Sequence, residues 1–461
     1  VSDGATTVLN VTAADRLYSA LVTRVDPADV NLPESVSREV PRNGMKLVAA
    51  NTLQSSGDQT MSASTVLPWI FNVLGVPAAL VGLLVPIRES GSMLPQAFLT
   101  PLIVRVRRRK WVFVAGAAVQ AVSVAVMAAI AALGYGTAAG VGILVALTVF
   151  SLGRCLCSIA SKDVQGRTIP SGERGQIIGL ATSAAGLVAI TLGLAIRVVG
   201  GGNLDKAQLA ILLAAGAVLW TISAAVYAQV REPAGEVPAA SESGDDAQTG
   251  SDDSSPSWWS DAVQLFRDDP TFRKFISVRG LLLVSSLSPP FIVSMSVAAG
   301  TGALTGLGGF VLASGVASLI GGRIFGRMAD KSSRLLMARA ASAASVVAVA
   351  LVVVVLAVPD FDGGSVAGSA VFVGSYFLLT LLHSGVRVGR KTYVVDVAEG
   401  DTRTMYVAVG NTTMGLILLA VGGVSSALAV FGVPWALVFL AILGLIGAFS
   451  ALSMPEVSRG A

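Results

Sequence analysis

Long apolar runs alternate along this chain with short polar turns. A helix needs about 20 predominantly apolar residues to cross a bilayer. Runs near 48–73, 77–104, 111–133, 138–160, 174–198 and 207–229 meet that length, and a second set lies near 275–297, 302–326, 335–358, 366–389, 404–428 and 433–454. The pattern predicts an all-α integral membrane protein of twelve transmembrane helices in two six-helix bundles. The first run is the most polar, because 51–65 is rich in Ser, Thr and Gln. Hydropathy alone places that helix at 63–87; the register of an internal repeat places it at 48–73. Membrane β-strands alternate apolar and polar positions over roughly 10 residues, so continuous helix-length runs exclude a barrel. The polar stretch 1–43 predicts no cleavable signal peptide.

Composition agrees. Hydrophobic residues make up 53% of the 461, charged residues only 13%, and the mean hydropathy is +0.74. A soluble domain carries about 25% charged residues. The two cysteines, Cys155 and Cys157, sit in an apolar run, so a disulfide scaffold or cysteine-rich zinc site is excluded. A single histidine, His383, excludes a multi-histidine metal site. No cofactor is expected.

Basic residues in short loops mark the cytoplasmic side. Arg105, Arg107, Arg108, Arg109 and Lys110 follow the second run; Lys162, Arg167 and Arg174 follow the fourth. Arg327, Lys331 and Arg334 follow the eighth; Arg390, Lys391 and Arg403 follow the tenth. An even helix count with both termini cytoplasmic satisfies the rule, and an odd count breaks it. The segment 231–256 is acidic and rich in Ser, Gly and Pro, a composition that cannot bury a core. It reads as a linker, with Trp258, Trp259, Ala262, Val263, Leu265 and Phe266 forming an interfacial helix after it. Residues 12–25 predict another short helix. The expected organisation is a tail 1–45, a bundle 46–230, a linker with interfacial helix 231–273, a bundle 274–455 and a tail 456–461.

The halves superpose as sequence. Shifted by 224 positions, Gly82 falls on Gly306, Ser90–Gly91 on Ser314–Gly315, and Lys110 on Arg334. Shifted by 229, Arg154 falls on His383, Lys162 on Lys391, Arg174 on Arg403, and Gly186 on Gly415. A duplicated six-helix unit joined by a polar linker is the plan of a carrier whose site lies between the halves near the midplane. With the loop Gly326-Arg327-Met328-Ala329-Asp330-Lys331-Ser332-Ser333-Arg334 after the eighth run, the chain resembles the major facilitator superfamily over almost all of 45–455. The resemblance implies that family's two-bundle fold and a conformational lock in this loop, with a gating role for Gly326, Asp330, Lys331 and Arg334. The matching first-half loop, 104–110, keeps the basic residues and lacks the aspartate; another acid would have to serve there. Arg154 faintly resembles the helix-4 arginine of the family's proton-coupled antiporters.

Charges inside the bilayer cost roughly 2.5–3.5 kcal/mol each on insertion scales, so they point to function. Arg88 and Glu89 lie mid-helix in the second run. Neighbouring residues on a helix point about 100° apart, so Arg88 and Glu89 are not expected to pair with each other alone, and Arg88 is expected to face an acid on another helix, Asp58. Asp58 or Glu89 carries an exchangeable proton in a water-lined cavity, or forms a fixed ion pair holding helices together. His383 and Arg387 stand four apart on one helical face; an unperturbed histidine titrates at about pH 6.5, so His383 takes part in proton coupling at the cavity or is hydrogen-bonded inside the bundle. Arg154 and Arg279 bind an anionic solute or snorkel. Arg387, Arg390 and Lys391 are a basic cluster at the cavity mouth or simply the charge-sidedness signal. Asn411 is a cavity or packing group. Pro289-Pro290 removes two backbone donors and predicts a kink or unwound stretch.

A phosphate-binding loop for an ATP-driven pump is absent, as is the H-E-x-x-H of a metalloprotease. The chain is expected to be no enzyme. It reads as a secondary transporter of a small organic solute by alternating access, coupled to protons. A transport-inactive membrane receptor or scaffold, or a drug or metabolite efflux antiporter, stays open. The partners expected are the solute, a proton and the lipid of a cell inner (plasma) membrane; no nucleic acid is expected, and the chain would act as a monomer. Clustered Arg88, Arg154 and Arg279 facing the cavity favour an anionic or zwitterionic solute.

Overall fold

In lipid every backbone polar group must be satisfied within the chain, and the fold obeys this with helices alone among the described residues. The computed structural model describes residues 13–22, 34–96, 98–99, 103, 105–200, 204–233, 264–300, 306–358, 361–397 and 400–457. In chain order the helices are α1 (Ala13–Leu21), α2 (Glu34–Ser37), α3 (Val40–Thr60), α4 (Val66–Val73), α5 (Ala78–Val81) and α6 (Leu84–Met93). Then come α7 (Lys110–Leu133), α8 (Gly136–Thr168), α9 (Ser171–Gly200) and α10 (Lys206–Ala228). After the linker follow α11 (Pro270–Leu281), α12 (Val284–Ala298), α13 (Leu307–Lys331), α14 (Ser333–Ala357), α15 (Val366–Val397), α16 (Gly400–Ala429) and α17 (Val433–Leu452).

Nine helical segments among the described residues are long and apolar enough to cross a membrane, with α11 and α12 counted as one. The other expected runs are helical but interrupted or shorter. The first is not continuous over 48–73: α3 starts at Val40, stops at Thr60, and the chain restarts as α4. The stop follows the Ser-rich stretch, where side-chain hydroxyls compete for backbone groups; Ser56 Oγ donates to the Thr52 carbonyl and Thr60 Oγ1 to that of Gly57. The second run breaks between α5 and α6. The apolar part of α13 is Leu307–Gly321. In the seventh run the break falls at Leu282–Leu283, and Pro289 and Pro290 lie inside α12. A proline frees the carbonyl four residues upstream, here those of Ser285 and Ser286, whereas the break itself lies about two turns before the prolines. The N-terminal helix expected at 12–25 is α1. Of the interfacial helix, only Leu265 and Phe266 fall among the described residues.

Helix starts carry the expected chemistry. Asp205 accepts from Gln208 N at 2.8 Å while Gln208 returns a bond to Asp205 N at 3.0 Å, a complete capping box for α10. Ser332 caps α14 and Asp269, followed by Pro270, caps α11.

The internal repeat is visible in the contacts. Lys110 Nζ donates to the carbonyls of Ala228 and Val230, both at 2.8 Å, and Lys110 N to Glu232 at 2.9 Å. Arg334 donates to the carbonyls of Leu452 and Met454 and, through Nε, to Glu456 at 2.9 Å. All four residues of the second set stand 224 positions after those of the first. Each clamp neutralises orphan carbonyls at the end of α10 or α17 with a cation.

Segments before and after the linker meet along two seams. Gly186 and Gly193 of α9 pack on Leu319 and Leu312 of α13, and Gly315 of α13 packs on Ala189 and Ile190. Gly415 and Gly422 of α16 pack on Leu94 and on Pro86 of α6. Small residues let helices approach closely. Across the first seam's neighbourhood Thr65 and Tyr376 share a hydroxyl bond of 2.6 Å. All these contacts lie in the helix portions away from the helix ends and turns around 105–110, 162–174, 327–334 and 390–397, an end we call basic.

Candidate functional site: a charged cavity between the two helix sets

The end of α3, together with α6, meets α11, α12, α13, α15 and α16 around a cavity of about 270 Å³. Its lining includes Gln59, Ser62, Arg88, Glu89, Arg279, Ser285, Ser286, Tyr376, His383, Arg387 and Arg390. A second hollow of about 190 Å³ is lined by Gln54, Ser55, Asp58, Arg154, Cys157, Ser158 and Ser161. The larger cavity reaches from Arg387 and Arg390, toward the basic end, up to Ser314, Tyr376 and Met414 beside the seams.

Two walls carry very different charge. On one, Asp58 of α3 accepts Arg154 Nη1 of α8 at 2.7 and 2.6 Å and Arg88 Nη2 of α6 at 3.1 Å. Arg88 Nη1 also reaches Glu89 at 2.8 Å. The sequence expectation of an Arg88–Asp58 contact therefore holds. So does the expectation that Arg88 and Glu89 do not pair with each other alone: the arginine side chain bends to its neighbour through one nitrogen while its other nitrogen reaches Asp58. Arg154 is neither snorkelling nor an open anion site, since both carboxylate oxygens of Asp58 hold it. The Asp58 side chain is 16% exposed and that of Glu89 36%, so Glu89 is the carboxylate more open to the cavity.

The other wall is cationic. Arg279 of α11, and Arg387 and Arg390 of α15, have no carboxylate within 4.0 Å among the described residues. Arg279 Nη2 donates to Asn411 Oδ1 at 3.2 Å, and its Nε is buried without a partner. His383 Nδ1 lies 3.3 Å from Ser285 Oγ. Glu89 is the acid whose field reaches Arg390 across the cavity.

The remaining sequence candidates lie elsewhere. Arg334 is tied to Glu456 and to carbonyls of its own helix set. Gly326 and Lys331 are at the basic end of α13, and Lys331 is exposed; the Asp330 side chain lies outside the described residues. In the first-half loop, Arg109 pairs with Asp163 of α8 at 2.5 Å, so an acid from another helix stands where the loop has none. Sequence reasoning missed Asp163, Thr65 and Tyr376. Their signal was present but weak: single polar groups in long helices whose rotation hydropathy does not fix.

A family description, Major Facilitator Superfamily, matches residues 48–361, and the chain belongs to that superfamily of membrane transporters. No curated protein sequence matches it. In three dimensions it is similar to a D-xylose-proton symporter, with TM-score 0.64, 12% identity, and 91% of this chain and 99% of that one covered. It is similar to the peptide transporter POT in complex with sulfate, with TM-score 0.65, 12% identity and coverage of 96% and 98%. It also resembles the nucleoside transporter NupG, with TM-score 0.59, 13% identity and coverage of 89% and 98%. At these identities the likeness concerns the fold.

Proposed function

We propose that the chain is a proton-coupled secondary transporter of a small organic solute, working by alternating access with Glu89 as its proton-carrying carboxylate. The observation that carries the reading is Glu89 itself. It has one ion-pair partner, faces the cavity, and sends its field to Arg390 on the opposite wall. Protonating it releases that electrostatic tie between the two helix sets. Asp58, held by Arg154 and Arg88, is instead a fixed pair.

Completing the nine apolar spans with α3–α4, α5–α6 and α13 makes twelve, in two bundles of six on either side of the linker. The positive-inside rule then puts the basic end and both termini in the cytoplasm of a cell inner membrane. The seams close the outer end and the cavity opens inward. The loop of Gly326, Asp330, Lys331 and Arg334 acts as a conformational latch at the inner end. The symporter fold of the D-xylose relative supports coupling to protons.

The test needs no knowledge of the solute. Spin labels at Ile178→Cys on α9 and Met328→Cys on α13, both exposed, report the width of the basic end. The wild-type distance distribution is expected to shift between acidic and alkaline buffer, and Glu89→Gln is expected to abolish the shift. A pH response that survives Glu89→Gln removes Glu89 from the coupling.

A further inference from the structure

We infer that the cavity takes a small organic dianion, held by Arg279 and Arg390 and admitted past Arg387. The inference deepens the carrier reading above and rests on it for transport, though not for binding.

The charge inventory of the two walls carries it. Around the cavity and its adjoining hollow stand five guanidiniums, Arg88, Arg154, Arg279, Arg387 and Arg390, against two carboxylates, Asp58 and Glu89. The α3–α6–α8 wall is neutral as a unit, because Asp58 and Glu89 match Arg88 and Arg154. The whole surplus of three positive charges therefore sits on the α11–α15 wall. There Arg279 and Arg390 repel each other, as do Arg387 and Arg390. Partly desolvated cations grouped without counter-charge are costly, and a protein keeps them where a ligand supplies the charge.

Depth sets the number. Arg387 is exposed, so water screens it; Arg279 and Arg390 are half-buried. Two negative charges neutralise the deeper pair. Arg279 is already oriented: Asn411 holds one nitrogen, and Nε remains buried and unpartnered. Guanidiniums give carboxylate and phosphate oxygens paired, directional donors. Hydroxyls of Ser285, Ser286, Tyr376 and Thr380 line the space beside them and suit an uncharged polar remainder. Outside the pair, Lys162 and Lys391 stand within electrostatic range of each other and extend the positive potential to the mouth, which raises the local concentration of an anion. A drug-like cation finds no carboxylate on this wall among the described residues.

Dicarboxylates and phosphate monoesters share this chemistry, as does an anionic lipid headgroup. Thermal unfolding of the purified full chain in neutral detergent separates them, with succinate, phenyl phosphate, xylose and tetraethylammonium as probes, and with anionic lipid added in a parallel series. Succinate or phenyl phosphate is expected to raise the melting temperature saturably, because a ligand that binds only the folded state stabilises it. Arg279→Gln and Arg390→Gln are expected to weaken that binding about 10- to 100-fold. Arg390→Lys should restore part of it, and Arg339→Gln, an exposed site off the cavity, should leave it unchanged. Stabilisation by xylose or tetraethylammonium but by neither dianion overturns the inference, as does undiminished dianion binding by both glutamine variants. Stabilisation by anionic lipid alone also overturns it in favour of a headgroup site. Dianion binding in a protein whose label distances ignore pH sinks the proton coupling and leaves this assignment standing; pH-driven switching without dianion binding does the reverse.

Discussion

Arg154 and Asp58 stand 96 residues apart in sequence and meet in a two-pronged contact, one guanidinium nitrogen lying 2.7 and 2.6 Å from the two carboxylate oxygens. The pair joins α8 to α3, and Arg88 adds α6 through the same carboxylate. Breaking a pair of this kind by removing one member leaves a charge without compensation, which costs more than the pair itself contributes. Asp58→Asn is expected to destabilise the protein by about 2–4 kcal/mol, a little under the range for fully buried pairs because Arg154 retains some solvent. Arg154→Gln should cost a similar amount. The double variant should cost clearly less than the sum, since neither charge is then stranded. Thermal unfolding of the four proteins closes the cycle. Strict additivity would mean that the contact is incidental.

The clamps at Lys110 and Arg334 lead to a second expectation. Each cation holds two carbonyls at the end of a closing helix, and each stands beside a glutamate in the same register. Lys110→Met and Arg334→Met should each cost about 1–3 kcal/mol, the scale of hydrogen bonds made by charged donors. Lys110→Arg should be nearly neutral, because arginine already does this work in the second copy. Comparable melting-temperature losses for Lys110→Arg and Lys110→Met would show that the two clamps are not equivalent.

The same pairs show what the sequence could reveal. The rods were legible because oil tolerates only continuous apolar helix, and the run lengths therefore mark them. The Lys110–Arg334 register was legible because charge at a helix end stands out against an apolar background. Arg88 facing Asp58 followed from the need to compensate buried charge. The hold of Asp58 on Arg154 did not, because it depends on how α8 is rotated about its axis, and apolar residues surround that helix too evenly to fix its rotation. The gap at 61–65 and the early break at Leu282–Leu283 were displaced for a related reason: local hydroxyl and carbonyl bonding, rather than hydropathy, decides where a helix lets go. The cationic wall was half visible. Arg387 and Arg390 read equally well as a sidedness signal until α11 brought Arg279 against them.

The seam between α9 and α13 supplies the last expectation. A Cβ added at Gly193 would lie 2.8 Å from the backbone nitrogen of Leu312 and 2.7 Å from its Cγ. A side chain can swing aside, but helix backbone cannot, so Gly193→Ala has to push the helices apart. Overpacking of this kind costs about 1–3 kcal/mol, and here it falls only on the conformation in which the seam is closed. The penalty therefore appears as a change in the balance of conformations, about 5- to 150-fold, rather than as general unfolding. Gly179 lies on the same helix nearer the basic end, and a Cβ there meets nothing within 4 Å. Labels at Ile178→Cys and Met328→Cys should report a narrower basic end in Gly193→Ala and an unchanged one in Gly179→Ala. If both variants leave the distances as in the parent, the α9–α13 contact does not separate during the cycle, and the pivot of any rocking motion must be sought along α6 and α16 instead.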